Sequence, residues 1–263
     1  MRLPDIDVKK VRKALLSFIS REFERSPFEK AILGISGGID SAVVAYLVSE
    51  ALDNQTVIGL LMPYRTQPKD VVEDALEVIN NLSIQSIIVD ISPMIDSFLS
   101  AHFDEDRRRI GSKMARERMS LLYYYADLFN AMVFGTGNRS EALLGYFSKH
   151  GDVGCDIMPL NDLYKTDVVR LALELGVPRK IIDKKPSAGF WPEQTDEAEL
   201  GFSYQDGDEI LYQLIDKKRR ENDLHSMGFE KDLVTKVTAK GKTTEYKRKP
   251  PIVPNLRVSR LGE

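Results

Sequence analysis

The sequence predicts an α/β fold: a doubly wound, mainly parallel sheet flanked by helices. Three observations carry this prediction. Four short apolar runs, residues 31–35, 57–62, 86–91 and 131–134, are spaced at intervals suited to crossover helices. Segments with helical periodicity lie between them. A glycine-rich turn, Gly34-Ile35-Ser36-Gly37-Gly38-Ile39-Asp40-Ser41, joins the first run to the first of those helices. Alternating strand and helix is the signature of a parallel sheet with right-handed crossovers.

Taken in order, residues 1–26 place Ile6, Val11, Leu15, Phe18, Ile19 and Phe23 at helical spacing, with Lys9, Lys10, Arg12 and Arg21 between them. That pattern is one amphipathic helix ending near Ser26-Pro27. Each of the four apolar runs reads as a strand buried on both faces. Helices are expected over 41–52, 68–79, 113–129 and 166–175, the last stopped by Gly176 with Pro178 beyond it. Helix resumes over 208–218 and 232–237. Two stretches, 104–112 and 187–200, read as mobile lid loops, the second holding Gly189, Pro192 and several acids. No boundary splits the chain, so residues 1–263 are expected to form one domain.

An apolar fraction of 43% supplies a sizeable core. The net charge of −3 gives no global basic field to recruit nucleic acid. Arg107-Arg108-Arg109, residues 217–220 and Lys247-Arg248-Lys249 each read, by themselves, as solvated faces. Nowhere do about 18 apolar residues run together, and Pro4, Asp5 and Asp7 occupy the start. A soluble, cytoplasmic protein with no membrane partner is expected. The single cysteine, Cys155, excludes an internal disulfide or a Cys-x-x-Cys site and reads as a packing residue.

The turn at 34–41 carries the first chemical signal. Glycines at a strand-to-helix junction allow close approach of a ligand, and the exposed N–H groups with the helix dipole form an anion site. Ser36 and Ser41 add hydroxyls. Asp40, an acid beside an anion site, calls for a mediating cation, which Mg2+ supplies. No lysine follows the second glycine, so this is not the kinase and GTPase loop.

The loop resembles that of the N-type ATP pyrophosphatases, which split ATP between its α and β phosphates. Further segments narrow the choice: Gly135-Thr136-Gly137-Asn138-Arg139-Ser140-Glu141 after the fourth run, then Gly145-Tyr146-Phe147-Ser148-Lys149-His150-Gly151-Asp152, Asp156 with Pro159-Leu160, and Leu163-Tyr164-Lys165-Thr166. Lys185-Pro186-Ser187-Ala188, Gln194-Thr195-Asp196-Glu197-Ala198-Glu199-Leu200-Gly201 and Tyr246-Lys247-Arg248-Lys249-Pro250-Pro251 follow. In this order, over about residues 10–256, they resemble the signatures of the ammonia-dependent NAD synthetase family. Some bacterial relatives carry Gly-Thr-Asp-His-Ala-Ala-Glu where this chain has residues 135–141, keeping the terminal glutamate. Others carry His in place of Tyr246.

The resemblance implies a Rossmann-like domain of the adenine nucleotide alpha hydrolase type. It implies joining of ATP, deamido-NAD and ammonia into NAD, AMP and pyrophosphate through an adenylated carboxylate. It assigns ATP to Gly34, Ile35, Ser36, Gly37, Gly38, Ile39, Asp40 and Ser41, with Thr136, Lys165 and Ser187. Asp40 and Glu141 match magnesium positions, and Arg116, Lys149, Asp156, Tyr246 and Lys247 match deamido-NAD positions. Asp40 and Lys165 would act in catalysis, and Asp156 is the candidate to steer ammonium. Glutamine-dependent relatives carry an extra N-terminal amidase domain; here about 30 residues precede the loop, so free ammonia, or ammonia handed over by a separate partner, is the expected donor. A homodimer through the helix at 113–129 is implied, and Met114, Met119, Leu121, Leu122, Tyr123, Tyr125 and Leu128 give that helix a wide apolar belt.

Overall fold

The computed structural model describes residues 3–102, 106–191 and 193–254. Four parallel strands form one sheet: β1 (Lys30–Gly34), β2 (Val57–Leu61), β3 (Gln85–Ile88) and β4 (Ala131–Phe134), in the order β3-β2-β1-β4. Ile32 lies opposite Ile58 on one side and Val133 on the other. β1 and β2 have buried interiors and β4 is buried throughout, because helices cover both faces.

On one face, α1 (Val8–Glu24), α2 (Ile39–Ala51), α3 (Lys69–Leu82) and α7 (Lys165–Leu175) share a core that includes Ile19, Leu33, Val43, Leu47, Val78 and Leu171. α4 (Ser92–Ala101) and α5 (Arg107–Phe129) close the other face with Leu60, Ile91, Ile95 and Met114. Fully burying one such side chain contributes roughly 1.5–3 kcal/mol. A further cluster, around Leu144, Tyr164, Ile210, Leu224 and Val237, belongs to α6 (Arg139–Leu144) and the C-terminal helices. Those are α9 (Asp196–Leu200), α10 (Tyr204–Leu211), α11 (Glu221–Ser226) and α12 (Lys231–Thr243), with a π-helical turn at Tyr212–Asp216; α8 (Arg179–Ile182) instead adds Ile181 to the first core, and α13 (Glu245–Arg248) follows α12.

Several expectations are corrected. β3 is not buried on both faces: it is an edge strand, and Ile88 is 56% exposed. The first helix begins at Val8, where the Asp7 carboxylate caps it by accepting from Lys10 N–H at 3.1 Å, so residues 3–7 precede it. α5 starts six residues before the predicted 113, because the Asp106 carboxylate caps Arg108 and Arg109 N–H groups at 2.9 and 3.0 Å. Residues 107–112 are therefore helix rather than lid loop, while 104 and 105 lie outside the described residues. In the 187–200 stretch, Asp196–Leu200 is helix, started by the Thr195 hydroxyl, and 192 lies outside the described residues. α12 extends to Thr243, beyond the predicted 237. No helix among the described residues is long and apolar enough to cross a membrane.

Candidate active site

β1 leads to β2 on one side of the sheet, and β4 lies on the other side. The carboxyl ends of β1 and β4 therefore flank a topological switch point, where open α/β sheets bind ligands. The turn at 34–41 follows β1 there. Gly38 precedes α2 with no side-chain cap, which leaves the first N–H groups of that helix for a ligand. Gly37 has φ +77°, and a Cβ would collide with the Val71 carbonyl oxygen, so only glycine fits. Two serines brace the turn. Ser41 Oγ accepts from Ser36 N–H at 3.1 Å and donates to the Gly38 carbonyl at 2.9 Å.

After β4, Asn138 starts α6 with a reciprocal cap. Its side-chain oxygen accepts from Glu141 N–H at 3.0 Å, and Glu141 Oε2 accepts from Asn138 N–H at 3.2 Å. The Asn138 amide nitrogen also donates to Asp40 Oδ1 at 2.9 Å, joining the two turns. Lys165, the first residue of α7, is 3% exposed; its ammonium hydrogen-bonds Asp40 Oδ2 and lies 3.9 Å from Glu141 Oε1. Burial opposes the lysine's charge, but the Asp40 and Glu141 carboxylates outweigh it and raise its pKa. Burial, reinforced by the Asp40 charge, pushes Glu141 up to about 8.

A buried carboxylate sets Lys165 in place. Asp208 of α10 is fully buried and accepts from Ser140 Oγ at 2.5 Å and from the Thr166 N–H and hydroxyl at 3.0 Å each. Ser140 Oγ in turn accepts from Lys165 N–H at 2.8 Å. Burial pushes Asp208 up to about 6. Nearby, the Tyr146 hydroxyl donates to Glu199 at 2.5 Å and lies 3.1 Å from an Asp196 carboxylate oxygen, tying α9 to the turn after α6.

One cavity of about 450 Å³ is lined by all of Gly34, Ile35, Ser36, Gly37, Gly38, Ile39, Asp40 and Ser41, together with Thr136, Glu141, Lys165 and Ser187. The predicted ATP set thus converges. Sequence reasoning missed Arg118, Gln67 and Asn138 as individual wall residues. The predicted deamido-NAD residues lie outside that lining. Arg116 donates to the Lys149 carbonyl at 3.2 Å, Lys149 Nζ to the Tyr246 carbonyl at 3.3 Å, and Lys247 Nζ to the Gly145 and Phe147 carbonyls at 2.8 Å each. Phe147 itself reaches the cavity, which makes this cluster its outer shoulder. Asp156 stands apart, accepting from Tyr123 hydroxyl at 3.0 Å and Val133 N–H at 2.8 Å. The Cys155 thiol is pushed up to about 11 by burial, consistent with packing.

No group of three or more His, Cys, Asp or Glu positioned to hold a metal occurs among the described residues. Asp40 and Glu141 nevertheless converge on one point, now filled by the lysine ammonium. Their hard oxygens are of the kind that would suit a divalent cation such as magnesium.

The profile of the family described as NAD synthase matches residues 11–251. An NH(3)-dependent NAD(+) synthetase of Thermococcus sibiricus is 46% identical, over 95% of this chain and 99% of its own. Among solved structures, an NMN synthetase from Francisella tularensis has a TM-score of 0.85 at 34% identity, covering 95% of this chain and all of that one. An NH3-dependent NAD synthetase from Campylobacter jejuni has a TM-score of 0.81 at 32% identity, with 95% and 100% covered. The loop after β1, the acids and lysine facing it, and a match spanning nearly the whole chain together place this protein in the NAD synthase family.

Proposed function

We propose that the protein amidates deamido-NAD with ammonia at the expense of ATP, giving NAD, AMP and pyrophosphate. The observation that carries this reading is the convergence of the phosphate turn, Asp40, Glu141 and Lys165 on one cavity in a chain of this family. The nicotinate carboxylate oxygen attacks the α phosphorus and pyrophosphate leaves. Ammonia then attacks the acyl carbon, AMP departs and the nitrogen loses a proton. Such transfer needs positioning and charge neutralisation rather than a protein nucleophile.

The unfilled N–H groups at the start of α2 would hold the leaving phosphates, with Thr136 and Ser187 on the nucleotide. Lys165 would follow the negative charge as the bond to the α phosphorus breaks. Asp40 and Glu141 would hold Mg2+, which when bound neutralises phosphate oxygens. Arg116, Lys149, Tyr246 and Lys247 would bind deamido-NAD, and Asp156 would orient ammonium. The relatives named as NH(3)-dependent support ammonia as the nitrogen donor. We place the reaction in the cytoplasm and assign a second copy of the chain to the α5 face, where Tyr124 and Leu128 are 64% and 62% exposed.

Incubation with ATP, magnesium, ammonium and deamido-NAD should yield NAD and AMP in equal amounts; ADP, or no product, would refute the ligase reading. Glutamine in place of ammonium should support little turnover. The similarity to an NMN synthetase makes nicotinate mononucleotide the competing acceptor, and a higher kcat/KM for it would reassign the substrate.

A further inference from the structure

We infer that Arg118 is a further substrate-binding residue, whose guanidinium contacts a phosphate oxygen of the nucleotide in the cavity. Four cationic side chains line that cavity: Arg118, Lys165, Lys184 and Lys185. Lys165 is paired with Asp40, and Lys184 with Asp70 and Asp74, while Lys185 is exposed. Arg118, half-buried in α5, has no carboxylate within ion-pair distance among the described residues. Its Nε donates to the Met62 carbonyl at 3.0 Å and its Nη2 to Gln67 Oε1 at 3.2 Å, both neutral acceptors. Nη1 has no hydrogen bond among the described residues. Burial lowers the group's pKa to about 10, a cost that the charge of Asp152, whose carboxylate is also engaged by Ser148 N–H at 2.8 Å, offsets only in part. An incoming anion would offset that cost.

The guanidinium is also oriented before any ligand arrives. Gln67 Oε1 accepts from Tyr64 N–H at 3.0 Å and its amide donates to the Gly189 carbonyl at 2.9 Å, so one side chain fixes Arg118 and the 187–191 segment together. The Phe190 ring stands over the guanidinium, 5.8 Å from its carbon, and packs where Gly111 leaves no Cβ in the way. A fixed guanidinium with Nη1 still unused, lining the same cavity as the phosphate turn, matches a phosphate oxygen.

The inference rests on the ATP-using reading above, and calorimetric binding of MgATP, without the second substrate, separates the two. If the wild-type chain fails to bind MgATP, the ATP-using reading itself falls. If it binds, Arg118→Gln should raise the Kd about 10- to 100-fold, as loss of a charged hydrogen bond does, and Arg118→Lys should fall between. Millimolar guanidinium should restore part of the affinity of Arg118→Ala, a result that a purely structural role would not produce. An unchanged Kd for MgATP in Arg118→Gln, or a loss confined to deamido-NAD, overturns the inference. Should Arg118→Gln be unfolded by circular dichroism, Arg118→Lys decides: a Kd several-fold above wild type upholds it and an equal Kd overturns it.

Discussion

The two halves of the candidate site handle charge in opposite ways. At the carboxyl ends of β1 and β4, the ionisable groups are buried and face one another: Lys165 against Asp40 and Glu141. On the shoulder formed by α5, the turn after α6 and α13, the cations donate to backbone carbonyls instead. Lys149 and Lys247 each stand over an aromatic ring, Tyr246 at 5.7 Å and Phe147 at 5.3 Å. A buried trio of opposite charges is a machine part whose removal leaves an unpaired charge in a low-dielectric setting. Cations resting on carbonyls keep their charge available for a ligand. The first region should therefore govern turnover and the second affinity.

Substitution at the trio breaks the comparison most severely. Asp40→Ala should lower kcat by on the order of 10²- to 10³-fold with the fold intact by circular dichroism; near-wild-type turnover would take Asp40 out of the chemistry. A smaller effect is expected on the shoulder. Lys149→Ala and Lys247→Ala should each raise KM for deamido-NAD about tenfold and leave KM for ATP unchanged, so equal shifts in both constants would erase the distinction between the regions.

The smallest effect concerns the support behind the trio. Burial raises the Asp208 pKa from 3.8 to about 6, so the folded chain holds that proton more tightly than the unfolded one. Its contribution to stability is fully present below pH 3.8 and is lost as pH rises to about 6. Comparing thermal midpoints across this window, Asp208→Asn should show a flatter fall with rising pH than wild type. Parallel curves would mean that Asp208 titrates normally.

Much of the first region was legible because its chemistry is local. Ser36, Gly37, Gly38 and Asp40 sit within five residues, between an apolar run and a helix, and the terminal glycine of α7 marks its end. What escaped depends on distant partners. Arg118 meets Gln67 across 51 residues, Gln67 meets Gly189 across 122, and Ser140 meets Asp208 across 68. No periodicity carries such information. β3 and β4 both end the sheet, yet only β3 is exposed, because residues 156 and 157 bond along the outer side of β4; apolar content alone does not reveal this difference. The early start of α5 was hidden because Arg107-Arg108-Arg109 has no apolar stripe; the cap at Asp106 was the available signal.

Asn138 is asked to be two-faced. One side of its amide must receive a proton from the backbone of Glu141 and the other must offer one to Asp40. A carboxylate at this place would only receive, and an ammonium would only offer. An imidazole in the right tautomer does both, so the vocabulary open to position 138 is short: asparagine here, and histidine in the Gly-Thr-Asp-His-Ala-Ala-Glu relatives.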